Sequence, residues 1–224
     1  GFIAEGWHCI GIDIEQHQYG EQRYPAQLWV QDILTVCGSQ LRDAQFIWAS
    51  PPCQTYSWMA MPWKKAKAHA AKIRADSTGA ELERLNRLFN ACFRIQQEAC
   101  EAAGRHIPMV VENVRGAIPW VGRSRWNWGA YHFWADVPAL MPSITKLSQK
   151  VPGFRFDGSG RSFQTASVES HVNCGGSWFH EYRKGKGPRN HGSGSKKRKQ
   201  ASALIAKIPL EVSSWIAKTY YPRP

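Results

Sequence analysis

The chain has 224 residues, 43% of them apolar and 21% charged, a balance that excludes a disordered chain and suffices for one α/β domain with a sizeable core. No run of about 18 apolar residues occurs, so no membrane span is expected, and no signal peptide is legible ahead of Gly1; the chain reads as soluble and cytoplasmic. Lys and Arg number 29 against 17 Asp and Glu, a formal charge of +12 that favours a polyanionic partner, because each phosphate neutralised releases counterions.

The elements follow in chain order. Residues 1–8 read as the end of a helix, with Phe2, Ile3 and Trp7 at helical spacing and Gly6 near the stop. Cys9 to Ile14 reads as a buried strand that reaches an acid at Asp13, and Leu28 to Ile33 repeats that shape around Asp32. Phe46 to Ala49 is a third strand, followed at once by Ser50-Pro51-Pro52-Cys53-Gln54, in which the two prolines stop the strand and stiffen the turn. Residues 62–78 are basic and Ala-rich, with Lys64, Lys65, Lys67, Lys72 and Arg74, and suit a mobile loop or a surface helix.

Residues 79–103 place Leu82, Leu85, Leu88, Phe89, Cys92, Phe93 and Ile95 at helical spacing and predict a long amphipathic helix ending at Gly104. Pro108 to Val114 is a fourth strand, carrying Glu112 and Asn113 at its polar end. Arg123-Ser124-Arg125 and the strand-like Tyr131 to Trp134 follow. From 143 to 200 Gly, Ser, Lys and Arg dominate, including the run Lys196-Lys197-Arg198-Lys199; a solvated loop and a phosphate contact explain that run equally well. Residues 201–219 return to helix. Strands alternating with helices predict a parallel sheet of βαβ units. The expected division is a catalytic core over 1–142, a basic recognition segment over 143–200 and a C-terminal helix over 201–224 that returns to the core.

Six cysteines, at 9, 37, 53, 92, 100 and 174, form no C-x-x-C pair and meet no His at zinc-ligand spacing, so neither a disulfide framework nor a metal site is expected. Eleven Trp is a high count. Trp120, Trp126, Trp128 and Trp134 crowd one stretch, where core packing is the plain reading and base stacking the functional one.

In an open parallel sheet, ligands bind beyond the carboxyl ends of the strands, and Asp13, Asp32, Cys53 and Glu112 are all expected there. An acid at Asp13 suits ribose hydroxyls, and one at Asp32 suits an adenine amino group; a helix cap is the ordinary role of either. A cysteine held on a Pro-Pro turn suits a thiolate that adds to carbon 6 of cytosine, breaking aromaticity and making carbon 5 nucleophilic. A buried, protonated carboxyl at Glu112 suits ring nitrogen 3, where charge builds as sulfur adds, with the 4-amino group as a donor to it. Arg125, with Arg123, suits the 2-keto oxygen, and Asn113 would help to fix the loop.

Pro52-Cys53-Gln54, followed in order by Glu112-Asn113-Val114, resembles the two catalytic motifs of the cytosine-C5 DNA methyltransferase family, most closely its short phage and prophage members. Asp13 and Asp32 match that family's cofactor acids in position. Arg123-Ser124-Arg125 resembles its paired-arginine motif, with Gly122 where Gln is usual, and Ile208 to Val212 resembles its last motif, with Ile205-Ala206 in place of Gly-Asn. The likeness is clearest over residues 1–137. It implies a Rossmann-like, S-adenosylmethionine-dependent methyltransferase fold of class α/β, with a mostly parallel sheet and helices on both faces. It implies S-adenosylmethionine bound by Asp13, Ile14, Asp32, Ile33 and Pro52, and double-stranded DNA contacted by Gln54, Ser57, Lys64, Lys65, Lys196 and Arg198. The target cytosine would be flipped out of the duplex, in a bacterial or phage-infected cell with a restriction-modification setting. The family's Gly-rich first motif would fall ahead of Gly1, so a missing N-terminal segment or a second chain is expected to supply it.

Two other readings start from the same residues. A thymidylate-synthase-like methylase of free pyrimidine nucleotides also uses a Pro-Pro-Cys thiolate, but carries His where Gln54 stands and has no place for Glu112-Asn113-Val114. A DNA-binding remnant lacking the cofactor loop is at odds with the intact Cys53 and Glu112. A zinc deaminase is excluded, since no H-x-E occurs and Tyr56 stands where its second Cys would be.

Overall fold

The structure is a computed structural model and describes residues 1–16, 18–19, 22–57, 63–129, 131–142 and 208–222. The expected recognition segment 143–200, with Lys196, Arg198 and Cys174, lies outside the described residues, as do Ile205 and Ala206. The chain divides into two compact units: Gly1–Gly11, Gln16–Leu28 and Leu140–Thr219 form the first, and Ile12–Glu15, Trp29–Ala139 and Tyr220–Pro224 the second.

In the first unit, the expected N-terminal helix is only a 3-10 turn, Ile3–Glu5, closed by Gly6. The Trp7 indole donates to the Ala217 carbonyl, 3.2 Å away, on the C-terminal helix. That helix, α4 (Leu210–Tyr220), buries Val212, Ile216 and Ala217 at its apolar spacing. In this unit β2 (Gln18–Tyr19) pairs antiparallel with β3 (Gln22–Arg23), while β1 (Ile10–Asp13) and β4 (Gln27–Val30), which pair with each other, each begin in the first unit and end in the second.

The second unit is a four-stranded sheet and its helices. The strands are β5 (Ile47–Ala49), β6 (Met109–Val114), β7 (Trp126–Trp128) and β8 (Tyr131–Ala135), in the order β5-β6-β8-β7. Between β5 and β6 run α1 (Trp63–Ala75) and α2 (Ala80–Ala103). This crossover lets β5 and β6 pair in parallel, Ile47 beside Met109 and Ala49 beside Val111. The architecture is therefore α/β, but β6–β8 and β7–β8 are antiparallel, so this sheet is mixed rather than mostly parallel. The cause is chain length: Trp128 pairs with Tyr131 across a two-residue connection, which only an antiparallel hairpin can close.

Helix α2 packs Leu85, Phe89 and Cys92 onto Met109, Val111 and Trp134 of the sheet, joined by Tyr56, Ile73 and Ala117. Full burial of side chains such as Phe89 and Met109 is worth about 1.5–3 kcal/mol each. The buried stripe is rotated from the expected one: Leu82 and Phe93 are each 37% exposed, while Asn86 and Ala99 are buried. Gly104 ends the helix at φ 65, a left-handed conformation that glycine adopts without cost. Trp128 and Trp134 are core residues. The basic stretch expected as a loop or a surface helix is the helix α1, its Lys64 and Lys65 exposed and its Ala66 and Ile73 buried. No helix among the described residues is long and apolar enough to cross a membrane.

Candidate active site

Strands β5 and β6 pair for only three residues before they part. Pro51 and Pro52 have no N–H, so the β5 backbone cannot continue the ladder, and the chain peels away beside Glu112 and Asn113. Glu112 and Asn113 therefore lie within β6, which continues to Val114 along its other edge with β8. The Asn113 side chain, 1% exposed, fills the split. Its Nδ2 donates to the Pro51 carbonyl at 2.9 Å, and its Oδ1 accepts from the Val114 N–H at 2.8 Å. Successive strand residues point to opposite faces, so Glu112 faces away from Asn113. Its cross-strand partner is Phe133, which packs against Trp48 and Trp126 at 6.2 and 5.4 Å between ring centres. Glu112 is half-buried beside that aromatic wall.

Cys53, two residues beyond Pro51, opens a tight turn: its carbonyl accepts from the N–H groups of Tyr56 (3.0 Å) and Ser57 (2.9 Å). Two anchors fix this turn. The Tyr56 ring is buried, and its hydroxyl donates to the Asn86 Oδ1 (2.9 Å) and the Leu85 carbonyl (3.3 Å) of α2. Burial, then the neighbouring Cys92, pushes the Tyr56 hydroxyl up to about 12, so it stays a donor. The second anchor is Gly116 in the 3-10 turn Arg115–Ala117 that follows β6. A Cβ there would stand 2.0 Å from the Tyr56 carbonyl oxygen, so only glycine permits this approach of the two backbones. The turn bearing the sulfur and the exit of the strand bearing the carboxyl are thus in backbone contact.

The short helix α3 (Ile118–Val121) leads to Arg123-Ser124-Arg125. The Arg125 N–H donates to the Phe133 carbonyl at 2.8 Å. Phe133 is also the partner of Glu112, so β8 separates the Arg125 backbone from Glu112 by two strand spacings, about 10 Å. Both arginine side chains are exposed. Ser124 Oγ and His132 Nδ1 share a 2.9 Å hydrogen bond beneath them. Burial, then the Arg115 guanidinium, lowers the His132 pKa.

Asp13 and Asp32 stand at the ends of the paired strands β1 and β4, linked by the Gln31 N–H donating to the Asp13 carbonyl at 2.9 Å. Each side chain makes a local cap: Asp13 Oδ1 accepts from the Glu15 N–H (2.9 Å), and Asp32 Oδ1 from the Leu34 N–H (3.0 Å) at the start of the 3-10 turn Ile33–Thr35. One oxygen of each carboxylate is thereby oriented by backbone. Ile14 is 67% exposed and Ile33 half-buried; Pro52 and Gln54 are exposed, and Ser57 is half-buried. Asp13, Asp32, Cys53 and Glu112 all belong to the second unit.

Helix α2 spans the two halves of this arrangement. Asn86 holds the Cys53 turn; two helical turns on, about 12 Å, Arg94 donates to the Val36 (3.1 Å) and Ile33 (3.4 Å) carbonyls. Glu98, paired with Arg94 at 2.7 Å, accepts from the Gly38 N–H at 2.6 Å. These bonds, the Gly38 one first, hold the Glu98 carboxyl below its ordinary pKa.

Sequence reasoning missed Asn86, Tyr56, Gly116, Arg94 and Glu98. Asn86 left a signal, a polar side chain on the apolar stripe between Leu82 and Phe89. The other four left none that pointed here: Tyr56 and Gly116 meet across the fold, and Arg94 and Glu98, four apart on α2, reach the distant backbone of Ile33, Val36 and Gly38. Among the described residues no group of three or more His, Cys, Asp or Glu side chains is placed to hold a metal ion. Comparison with protein-family models, with curated proteins and with solved structures found no match to this chain.

Proposed function

We propose that the chain is a DNA (cytosine-5-)-methyltransferase with a Rossmann-like, S-adenosylmethionine-dependent catalytic core. The observation that carries this reading is the Asn113–Pro51 hydrogen bond. It joins the strand bearing Glu112 to the turn bearing Cys53 at the carboxyl ends of two adjacent parallel strands, where α/β proteins bind their ligands. A sulfur nucleophile and a carboxyl there can take two edges of one extruded pyrimidine.

In this reading Cys53, as thiolate, forms a bond to carbon 6 of a flipped cytosine. The electron pair moves into the ring toward nitrogen 3, where Glu112 gives a proton or hydrogen bond while it accepts from the 4-amino group. Arg125 and Arg123 neutralise charge at the 2-keto oxygen. Once carbon 5 carries the transferred methyl group, loss of its remaining proton to a base would break the bond between sulfur and carbon 6, release the thiolate and restore aromaticity.

S-adenosylmethionine, when bound, supplies the electrophilic methyl group. The donor set fits its nucleoside half: Asp13 and Asp32, each with one oxygen held by a backbone N–H, suit the ribose hydroxyls and the adenine amino group. Ile14, Ile33 and Pro52 would flank it. Gln54, Ser57, Lys64 and Lys65 would face the duplex.

The test is transfer of tritium-labelled methyl to duplex DNA, and covalent capture on DNA containing 5-fluorocytosine, whose fluorine cannot leave as a proton does. Native protein should label carbon 5 and form the adduct. Cys53→Ala should do neither, while DNA affinity stays within about tenfold. Label appearing in dCMP but not in DNA would instead favour the nucleotide methylase. Intact DNA binding with no adduct in the presence of cofactor would favour the remnant.

A further inference from the structure

We propose that Asn86 is a positioning residue, setting where the Cys53 sulfur stands relative to the Glu112 carboxyl by tying the Cys53 turn to the segment that leads from β6 to Arg123. The inference rests on the cytosine-methylation reading of the same site.

Asn86 is 7% exposed on the apolar face of α2. An amide there is costly unless both its halves are bonded. They are, and to two different segments: Oδ1 accepts from the Tyr56 hydroxyl at 2.9 Å, and Nδ2 donates to the Trp120 carbonyl at 2.8 Å. Tyr56 also has the Leu85 carbonyl within 3.3 Å, so its hydroxyl would keep an acceptor without Asn86. Satisfying Tyr56 is therefore not what the amide is needed for. What it adds is a bridge. One end is three residues past Cys53, in the turn closed on the Cys53 carbonyl. The other is at the end of α3, between Glu112 and the Arg-Ser-Arg run. The backbone contact of Gly116 with Tyr56 leaves the turn little room to shift on that side, so the bridge and the glycine grip it from two directions. A leucine has the same branching and would pack on the same stripe but could not join the two segments.

The test uses the full chain carrying Asn86→Leu, Tyr56→Phe, or both. Three quantities are read: kcat and both KM values of methyl transfer, thermal unfolding, and the rate at which iodoacetamide alkylates Cys53, followed by peptide mass spectrometry. Asn86→Leu is expected to lower kcat by about tenfold or more, with KM for DNA and for S-adenosylmethionine within about twofold. Tyr56→Phe cuts the bridge at its other end and should lose about as much, and the double variant should match either single variant, as expected of groups acting as one unit. A folded Asn86→Leu protein with native kcat overturns the proposal, and so does one whose losses fall on KM. If the native protein transfers no methyl group, the methylation reading falls and alkylation decides the bridge. A rate at Cys53 raised about fivefold or more in Asn86→Leu keeps it, and an unchanged rate overturns it.

Discussion

The Asn113 side chain donates to the Pro51 carbonyl at 2.9 Å across 62 residues of chain, and accepts from the N–H of its own neighbour Val114. One amide thus stands in for the ladder bonds that the two prolines remove. It converts a break in the sheet into a fixed gap, with the Cys53 turn on one side and Glu112 on the other. Replacing Asn113 with Ala leaves a half-buried carbonyl and a half-buried N–H without these partners, toward the lower end of about 1–3 kcal/mol for each. Asn113→Ala is expected to lower the unfolding free energy by an amount in that range, read as a lower urea midpoint, and to reduce kcat more than either KM. A midpoint and a kcat both unchanged would mean that the gap holds its width without the amide.

Gly116 makes a sharper demand, because its neighbour is backbone. The Cβ of an alanine would fall 2.0 Å from the Tyr56 carbonyl oxygen and 3.0 Å from its carbon, and neither can rotate away. Gly116→Ala must push the Cys53 turn off the exit of β6, with a cost of about 1–3 kcal/mol from overpacking. Gly79→Ala is the control. That residue, unlike Gly116, adopts a positive φ, 76°, and a Cβ there meets nothing within 4 Å, so its cost is backbone strain alone. Both variants should lower stability in equilibrium unfolding, and only Gly116→Ala should slow methyl transfer.

Much of this was readable from the chain because local rules and fold agree. The Pro-Pro step after Ala49 marks where β5 ends, the 3–4 spacing of Leu85, Phe89 and Cys92 marks α2, and Gly104 marks its stop. Two kinds of feature were not readable. The strand over Tyr131 to Trp134 was read, but its antiparallel pairing with β7 was not, because strand–helix alternation carries no information about a two-residue hairpin that follows it. The supports of the site were missed because they are side chains meeting backbone far away in sequence, as Arg94 meets Val36 and Asn86 meets Trp120. The extent of the buried stripe on α2 was misjudged for a related reason: periodicity weighs Leu82 and Phe93 above Asn86, whereas the hydrogen bonds of Asn86 draw that position inward.

His132 gives a pH dependence whose sign follows from its surroundings. Burial, with the Arg115 guanidinium as a second cause, lowers its pKa below the ordinary 6.5. Between that lowered value and 6.5 the unfolded chain binds a proton that the folded chain refuses, so stability rises with pH across this interval. It is complete above about 6.5 and declines as the pH falls from there. The His132→Asn variant removes the titrating ring. In urea unfolding at pH 7.5 and 5.5, the native protein should lose more stability on acidification than the variant. Equal losses would assign the effect to other groups.

The outer face of α1 should act as a phosphate grip, and salt measures it. Ala66 and Ile73 are buried and turn Lys64 and Lys65 outward, on a helix with five Lys and Arg and no acid. Lys72 differs, since its ammonium is already 2.7 Å from Glu81. Arg74 differs too, its guanidinium lying 5.3 Å from the Trp120 ring centre. Each phosphate contact contributes about 0.9 to the slope of log affinity against log salt. Replacing Lys64 and Lys65 together by Ala should therefore reduce that slope by about 1.8 and weaken duplexes of different sequence alike, because phosphates carry no base information. Lys72→Ala should change the slope less than either single replacement, and kcat at saturating DNA should hold in all of these variants. A double variant with the native slope would move the DNA contact off α1 altogether.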